Sequence, residues 1–284
     1  MNDKYVSWED AVAWLVAQPD KQELVRDCYF DLSPESAAAR YARSDEWNAI
    51  RALLPAVPGR ALDLGAGRGI TSYALAKAGW TVVAIEPDPS NLVGRGAIRR
   101  IAQSEGLPID TLEEFGERLP CDSGSFDLVL ARQVLHHAKD LPALCAEAYR
   151  VLKPGGTFIA VRDHVISSPD DLPAFLQVHP LHRLYGGEHA YQSSQYLDAL
   201  HAAGFRMNRM LRSFDSVINY APYTRDSLRA ELQGRLNRFP LGRMAGACLN
   251  SEAILDLALV VLSRIDRRPG RLYSFVCVKP SREG

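Results

Sequence analysis

From Arg60 to Pro87 the chain reads RALDLGAGRGITSYALAKAGWTVVAIEP, and this stretch narrows the possible folds more than any other. Two short apolar runs, RALDL and TVVAI, flank a glycine-rich turn and a run of good helix formers. Short buried strands joined by a helix make a parallel βαβ unit. The alternation continues through a helix in PSNLVGRGAIRRIAQSEG, a weak strand in PIDTL and a strand in SFDLVLAR. A helix in LPALCAEAYRVL and a strand in GGTFIAVRDH follow. That rhythm predicts an α/β fold, a mostly parallel Rossmann-like sheet with helices on both faces.

The flanks read differently. Residues 1–57 are helical in pattern: Ser7 with Asp10 approaches a capping box, and Ser33 precedes Pro34 as an N-cap. SPESAAARYARSDEWNAIRALL continues as one run of helix formers, which PAVPG stops. Beyond His164 come a loop with a short helix, the helix SQYLDALHAAG, a strand in FRMNRMLRSFDSVIN, a helical stretch over 224–267 and a closing strand in GRLYSFVCVKP.

A net charge of −1 over 284 residues leaves no electrostatic footprint for nucleic acid. From His201 to Gly284, however, fourteen Lys/Arg oppose seven Asp/Glu. A solvated arginine-rich face is the plain reading, and a surface for an anionic or membrane-borne substrate is the sharper one. Five scattered cysteines without a C-x-x-C pair fit reduced thiols. The N-terminus lacks a signal-peptide core, and the run AILDLALVVL is too short to span a bilayer. A soluble, cytoplasmic protein without a transmembrane segment is expected; a homodimer is left open.

The turn carries Gly65, Gly67 and Gly69, a G-x-G-x-G spacing with Ile70 where a dinucleotide site wants its third glycine. Asp63 stands just before it, where a carboxylate repels a pyrophosphate but suits a ligand bearing an amino group. Glu86 ends the second strand, where it can accept both ribose hydroxyls. S-adenosylmethionine, cationic and free of phosphate, fits these charges better than a nicotinamide dinucleotide.

LDLGAGRG, VVAIEPDPS, ERLPCDSGSFDLVLARQVLHH and EAYRVLKPGGTFIAVRD together resemble the successive motifs of class I S-adenosylmethionine-dependent methyltransferases. They are most similar to the group that includes the ubiquinone/menaquinone C-methyltransferases. The likeness covers about residues 60–163. It implies a seven-stranded sheet with an antiparallel last strand, a helical lid over 1–57, a cofactor-binding core over 58–223 and 268–284, and a helical insertion over 224–267. It also implies that Asp63, Gly65, Ala66 and Gly67 line the methionine end, that Glu86 and Pro87 border the ribose, and that Arg132 passes the methionine moiety. The family's acidic adenine contact is Phe115 here. Adenine is therefore expected on that ring, with the amides of Phe115 and Gly116 reading its edge and Glu114 or Glu117 as substitutes. Arg40, Tyr41 and Arg43 could close over the cofactor carboxylate or serve the helix surface.

Methyl transfer asks the protein to hold the acceptor near the methyl group and to remove its proton. Six of the seven histidines follow the fourth and fifth strands. His164 is the first choice as base and His137 the second, with Asp163 orienting either. Glu188 and His189 are further catalytic candidates, in the loop HRLYGGEHAY between Tyr185 and Tyr191, which forms a pocket wall or a packed Ω-loop. A metal on His179, His182, Glu188 and His189 is disfavoured because Pro180 breaks the helix that would align the first pair. The expected reaction is methylation of a hydroxyl on a small molecule or saccharide. A carbon acceptor, or cofactor binding without transfer, is the alternative.

Overall fold

The computed structural model describes residues 5–31, 33–240 and 242–281. Four helices open it: α1 (Trp8–Val16), α2 (Gln22–Asp27), α3 (Pro34–Tyr41) and α4 (Asp45–Arg51). Ser7 and Ser33 cap α1 and α3 as expected, each hydroxyl accepting a backbone N–H in the first turn. The run expected as one helix is two, because the Ser44 hydroxyl accepts the Trp47 amide and starts α4 afresh.

The core alternates β1 (Arg60–Leu64), α5 (Ile70–Lys77), β2 (Thr81–Ile85), α6 (Arg95–Glu105), β3 (Ile109–Leu112), β4 (Phe126–Arg132), α7 (Leu141–Val151) and β5 (Leu152–Ile166). Helix α6 starts later than its sequence suggests. Asp88 draws the Ser90 amide onto its carboxylate and the Arg95 amide onto its carbonyl, and that turn displaces the first helical residues. Then come α8 (Leu172–Val178), α9 (Pro180–Tyr185), the two-residue β6 (Tyr191–Gln192), α10 (Ser193–Ala202) and β7 (Arg206–Leu211). The chain continues through α11 (Val217–Tyr220), α12 (Arg225–Leu236), α13 (Gly242–Cys248), α14 (Glu252–Ile265) and β8 (Arg271–Val278).

The main strands run in the order β3-β2-β1-β4-β5-β8-β7, with β8 antiparallel to both neighbours and β6 added beside the end of β5. This is the expected seven-stranded sheet plus one short bridge. Period-two alternation sends Leu62, Leu64, Val129, Ala131 and Phe158 to the face covered by α7 and α10. Ala61, Leu128, Leu130, Ile159 and Val161 go to the face covered by α3, α4 and α5. Tyr41, Trp47 and Ile50 are buried in that second layer, so α3 and α4 form part of its wall.

The order reverses between β1 and β4, which opens a crevice at their carboxyl ends. No single helix among the described residues is long and apolar enough to cross a membrane.

Candidate active site

All three glycines of the turn have positive φ, +63° at Gly65, +54° at Gly67 and +85° at Gly69. Gly65 also needs its bareness for space: a Cβ there would stand 2.7 Å from Val134 Cγ2, which ties the turn to the segment after β4. Gly67 meets nothing close, so its backbone is open above, and its amide donates to Glu86 Oε2 at 2.7 Å. Glu86 Oε1 accepts the Asp88 amide at 2.9 Å.

Asp63 is 1% exposed. Its Oδ2 accepts the Ser72 hydroxyl at 2.5 Å, while Oδ1 is buried without a partner among the described residues. Burial pushes its carboxyl up to about 7, with the nearby Glu86 charge adding to the rise. A buried carboxylate oxygen without a donor, beside an open glycine turn, is the complement of a cationic group.

Where the resemblance expects the adenine, Phe115 is 58% exposed with the Lys139 ammonium 5.6 Å from its ring centroid, and its amide donates to Glu114 Oε1. Gly116 packs against Leu144, and Glu117 accepts the Lys139 amide. Pro87 is half-buried in the turn after Glu86, and Ala66 donates its amide to the Ile85 carbonyl. Arg132 spends its guanidinium on Glu46, at 2.6 and 3.2 Å, between the rings of Tyr29 and Tyr41. Arg40 is held by Asp31 and the Arg26 carbonyl, the Tyr41 ring is in the core and Arg43 is exposed.

The histidines do converge, around a residue that sequence reasoning did not single out. His136 lies in the 3-10 turn after β4, 1% exposed, with Nδ1 2.9 Å from Asp163 Oδ1. That same oxygen accepts the amides of Val134 and His136. Asp163 therefore orients His136, and not His164 or His137 as expected. A break in the β5–β8 register between Ala160 and Asp163, with Arg162 at φ +62°, turns Asp163 toward the segment after β4. Burial raises the Asp163 carboxyl to about 8.

Glu188, its side chain 5% exposed, brings Oε2 to 3.7 Å from His136 Nε2 and 3.9 Å from His182 Nε2, and Oε1 to 3.7 Å from His137 Nε2. Burial pushes Glu188 up to about 7 and drives the imidazoles toward neutrality: His136 well below the ordinary range, His164 to about 4, His182 to about 3. His164 donates Nδ1–H to the Gly270 carbonyl at 2.8 Å, which leaves its Nε2 a lone pair. Its ring stands edge-on to His136, 4.7 Å between centroids.

His189 lies apart from this group, against the Tyr191 ring. His179 caps α9 by accepting the Leu181 amide, and despite Pro180 its ring lies 5.0 Å from that of His182, centroid to centroid. In the HRLYGGEHAY loop the aromatic rings are used internally. A Cβ on Gly186 would meet the Tyr5 ring and one on Gly187 the Tyr185 ring, and Tyr185 stacks edge-on against Trp8.

This sheet order and glycine turn define the class I methyltransferase architecture. Residues 62–160 match the family model described as a methyltransferase domain. Among curated proteins, a ubiquinone biosynthesis O-methyltransferase from Methylobacterium nodulans is 39% identical over 110 residues. The match covers 35% of this chain and 39% of that protein, well under half of either.

Among solved structures, a phosphoethanolamine N-methyltransferase from Haemonchus contortus, bound to phosphomonomethylethanolamine and S-adenosylhomocysteine, superposes with a TM-score of 0.60 at 19% identity. The superposition covers 97% of this chain and 61% of that one. The cyclase SpnF gives 0.55 at 20% identity, covering 83% and 80%.

Proposed function

We propose that this chain binds S-adenosylmethionine across the crevice between β1 and β4 and moves its methyl group to a hydroxyl of a small molecule. One observation carries the cofactor half of this reading: the unpartnered, buried Oδ1 of Asp63 beside the open Gly65–Gly67 backbone, with Glu86 at the neighbouring strand end. Those residues fit the group. Asp63 would meet its ammonium, Glu86 retains lone pairs for the ribose hydroxyls, and two acids at one turn are unfavourable for a pyrophosphate. Bound there, the cofactor supplies an activated methyl group whose sulfur departs as a neutral thioether.

The oxygen acceptor is supported by the O-methyltransferase relatives, and the family-model match over residues 62–160 includes the turn that carries His136 and His137. In this reading His164 Nε2, freed by the Gly270 carbonyl, accepts the acceptor's proton. The segment after β4 holds the acceptor within reach of the turn, to which Val134 ties it.

Incubation with S-adenosylmethionine and a panel of phenolic and saccharide hydroxyl acceptors, read as S-adenosylhomocysteine formed, is the test. His164→Ala is expected to lower kcat by about 100-fold while cofactor affinity is kept. Turnover unchanged in that variant removes His164 from the reaction. The fold shared with a cyclase keeps a second reading in view, cofactor binding without transfer. A wild-type chain that binds S-adenosylhomocysteine yet methylates nothing in the panel is its signature.

A further inference from the structure

We propose that His136, His137 and Glu188 form a binding site for one divalent transition-metal ion of the zinc type, with His182 lining it. The ligand atoms of these three all lie within 4.8 Å of one another, and Glu188 stands 3.7 Å from His136 Nε2, 3.7 Å from His137 Nε2 and 3.9 Å from His182 Nε2. Those gaps are too long for hydrogen bonds. Donors about 2.0–2.1 Å from a tetrahedral ion stand roughly 3.3 Å apart, so modest contraction closes the set.

Glu188 supplies an independent indication. Its Oε2 is buried with no hydrogen-bond partner, and among the described residues the basic groups within ion-pairing distance of it are imidazoles alone. A carboxylate removed from water without a donor or a fixed cation is costly, and a bound cation relieves that cost.

The outer contacts fit as well. His136 has its Nδ1 hydrogen-bonded to Asp163, which aims Nε2 at Glu188 in the carboxylate–histidine–metal arrangement. Imidazole nitrogen and carboxylate oxygen together suit zinc, whereas magnesium prefers an all-oxygen shell.

Two segments far apart in sequence supply the donors: the turn after β4 and the loop directly behind helix α9. Resting on the methyl-transfer reading for its role alone, the ion would offer a coordination position to the acceptor's oxygen beside the crevice.

The test is equilibrium dialysis of the metal-stripped full chain against Zn²⁺, with metal analysis and with Co²⁺ as a spectroscopic probe. One equivalent is expected in the wild type, with affinity falling about 100-fold in Glu188→Ala and about tenfold in His137→Ala. His137 presents its outer edge to solvent, its side chain 38% exposed, so its replacement spares the core. Cys28→Ser, which removes the thiol 3.9 Å from His179, is expected to bind as the wild type does.

S-adenosylhomocysteine affinity, measured on every variant, reports folding separately. Zinc absent from the wild type, equal binding in Glu188→Ala and His137→Ala, or a loss in Cys28→Ser overturns the site. A wild type that takes zinc but no S-adenosylhomocysteine overturns the methyltransferase reading and leaves the site standing.

Discussion

Asp63 combines near-complete burial with one carboxylate oxygen that has no donor among the described residues. Its carboxyl, ordinarily near 3.8, is held at about 7. Between those values the folded chain keeps a proton that the unfolded chain has released. The ligand-free protein therefore loses stability as pH rises through that window. A cationic ligand requires the ionised form, so its affinity moves the other way. Calorimetry should find S-adenosylhomocysteine binding about tenfold tighter at pH 8 than at pH 6, and weak without this pH dependence in Asp63→Asn. Identical affinities at the two values contradict the role given to this carboxyl. Asp63, Gly65, Gly67 and Glu86 were legible in the sequence because strand ends and positive-φ turns restrict residue type locally. His136 was not, since what marks it out is Asp163 and Glu188 arriving from distant segments, which no spacing records.

Helix α4 is fixed to the end of β4 by one buried ion pair, Glu46 with Arg132, whose exposed fractions are 2% and 12%. Arg162, 8% exposed, approaches Glu46 at 3.8 Å and anchors its own guanidinium on the carbonyls of Ile218 and Ala221. One carboxylate thus faces two buried guanidinium groups from adjacent strands. Removing it leaves both without their counter-charge. Glu46→Gln should cost about 3–5 kcal/mol in urea unfolding, far more than loss of an exposed pair. A cost below about 1 kcal/mol would mean that water reaches these groups. Element types followed from periodicity, because apolar runs and helical spacing are local. Their ends did not always follow. Ser44 split a run of helix formers with its hydroxyl, and Asp88 delayed α6 with its carboxylate. Both are side-chain contests with the backbone that propensity averages over.

At the level of the molecule, the strand order places the glycine turn, the His136–His137 turn and the end of β5 along one edge of the sheet. The C-terminal excess of arginine has a location too: Arg212, Arg264, Arg267 and Arg271 line a concavity of about 190 Å³ beside Tyr273. The mostly parallel seven-stranded sheet with its antiparallel last strand was readable from four motifs in series. The enclosure of the histidines was not, since Glu188 and His182 come from a region without motif character. The most direct measurement is a calorimetric titration of the full chain with S-adenosylhomocysteine and, separately, with NAD. One equivalent of S-adenosylhomocysteine, lost in Glu86→Ala, and no heat from NAD is the predicted result. Binding of NAD in place of the nucleoside, or of neither, would contradict it.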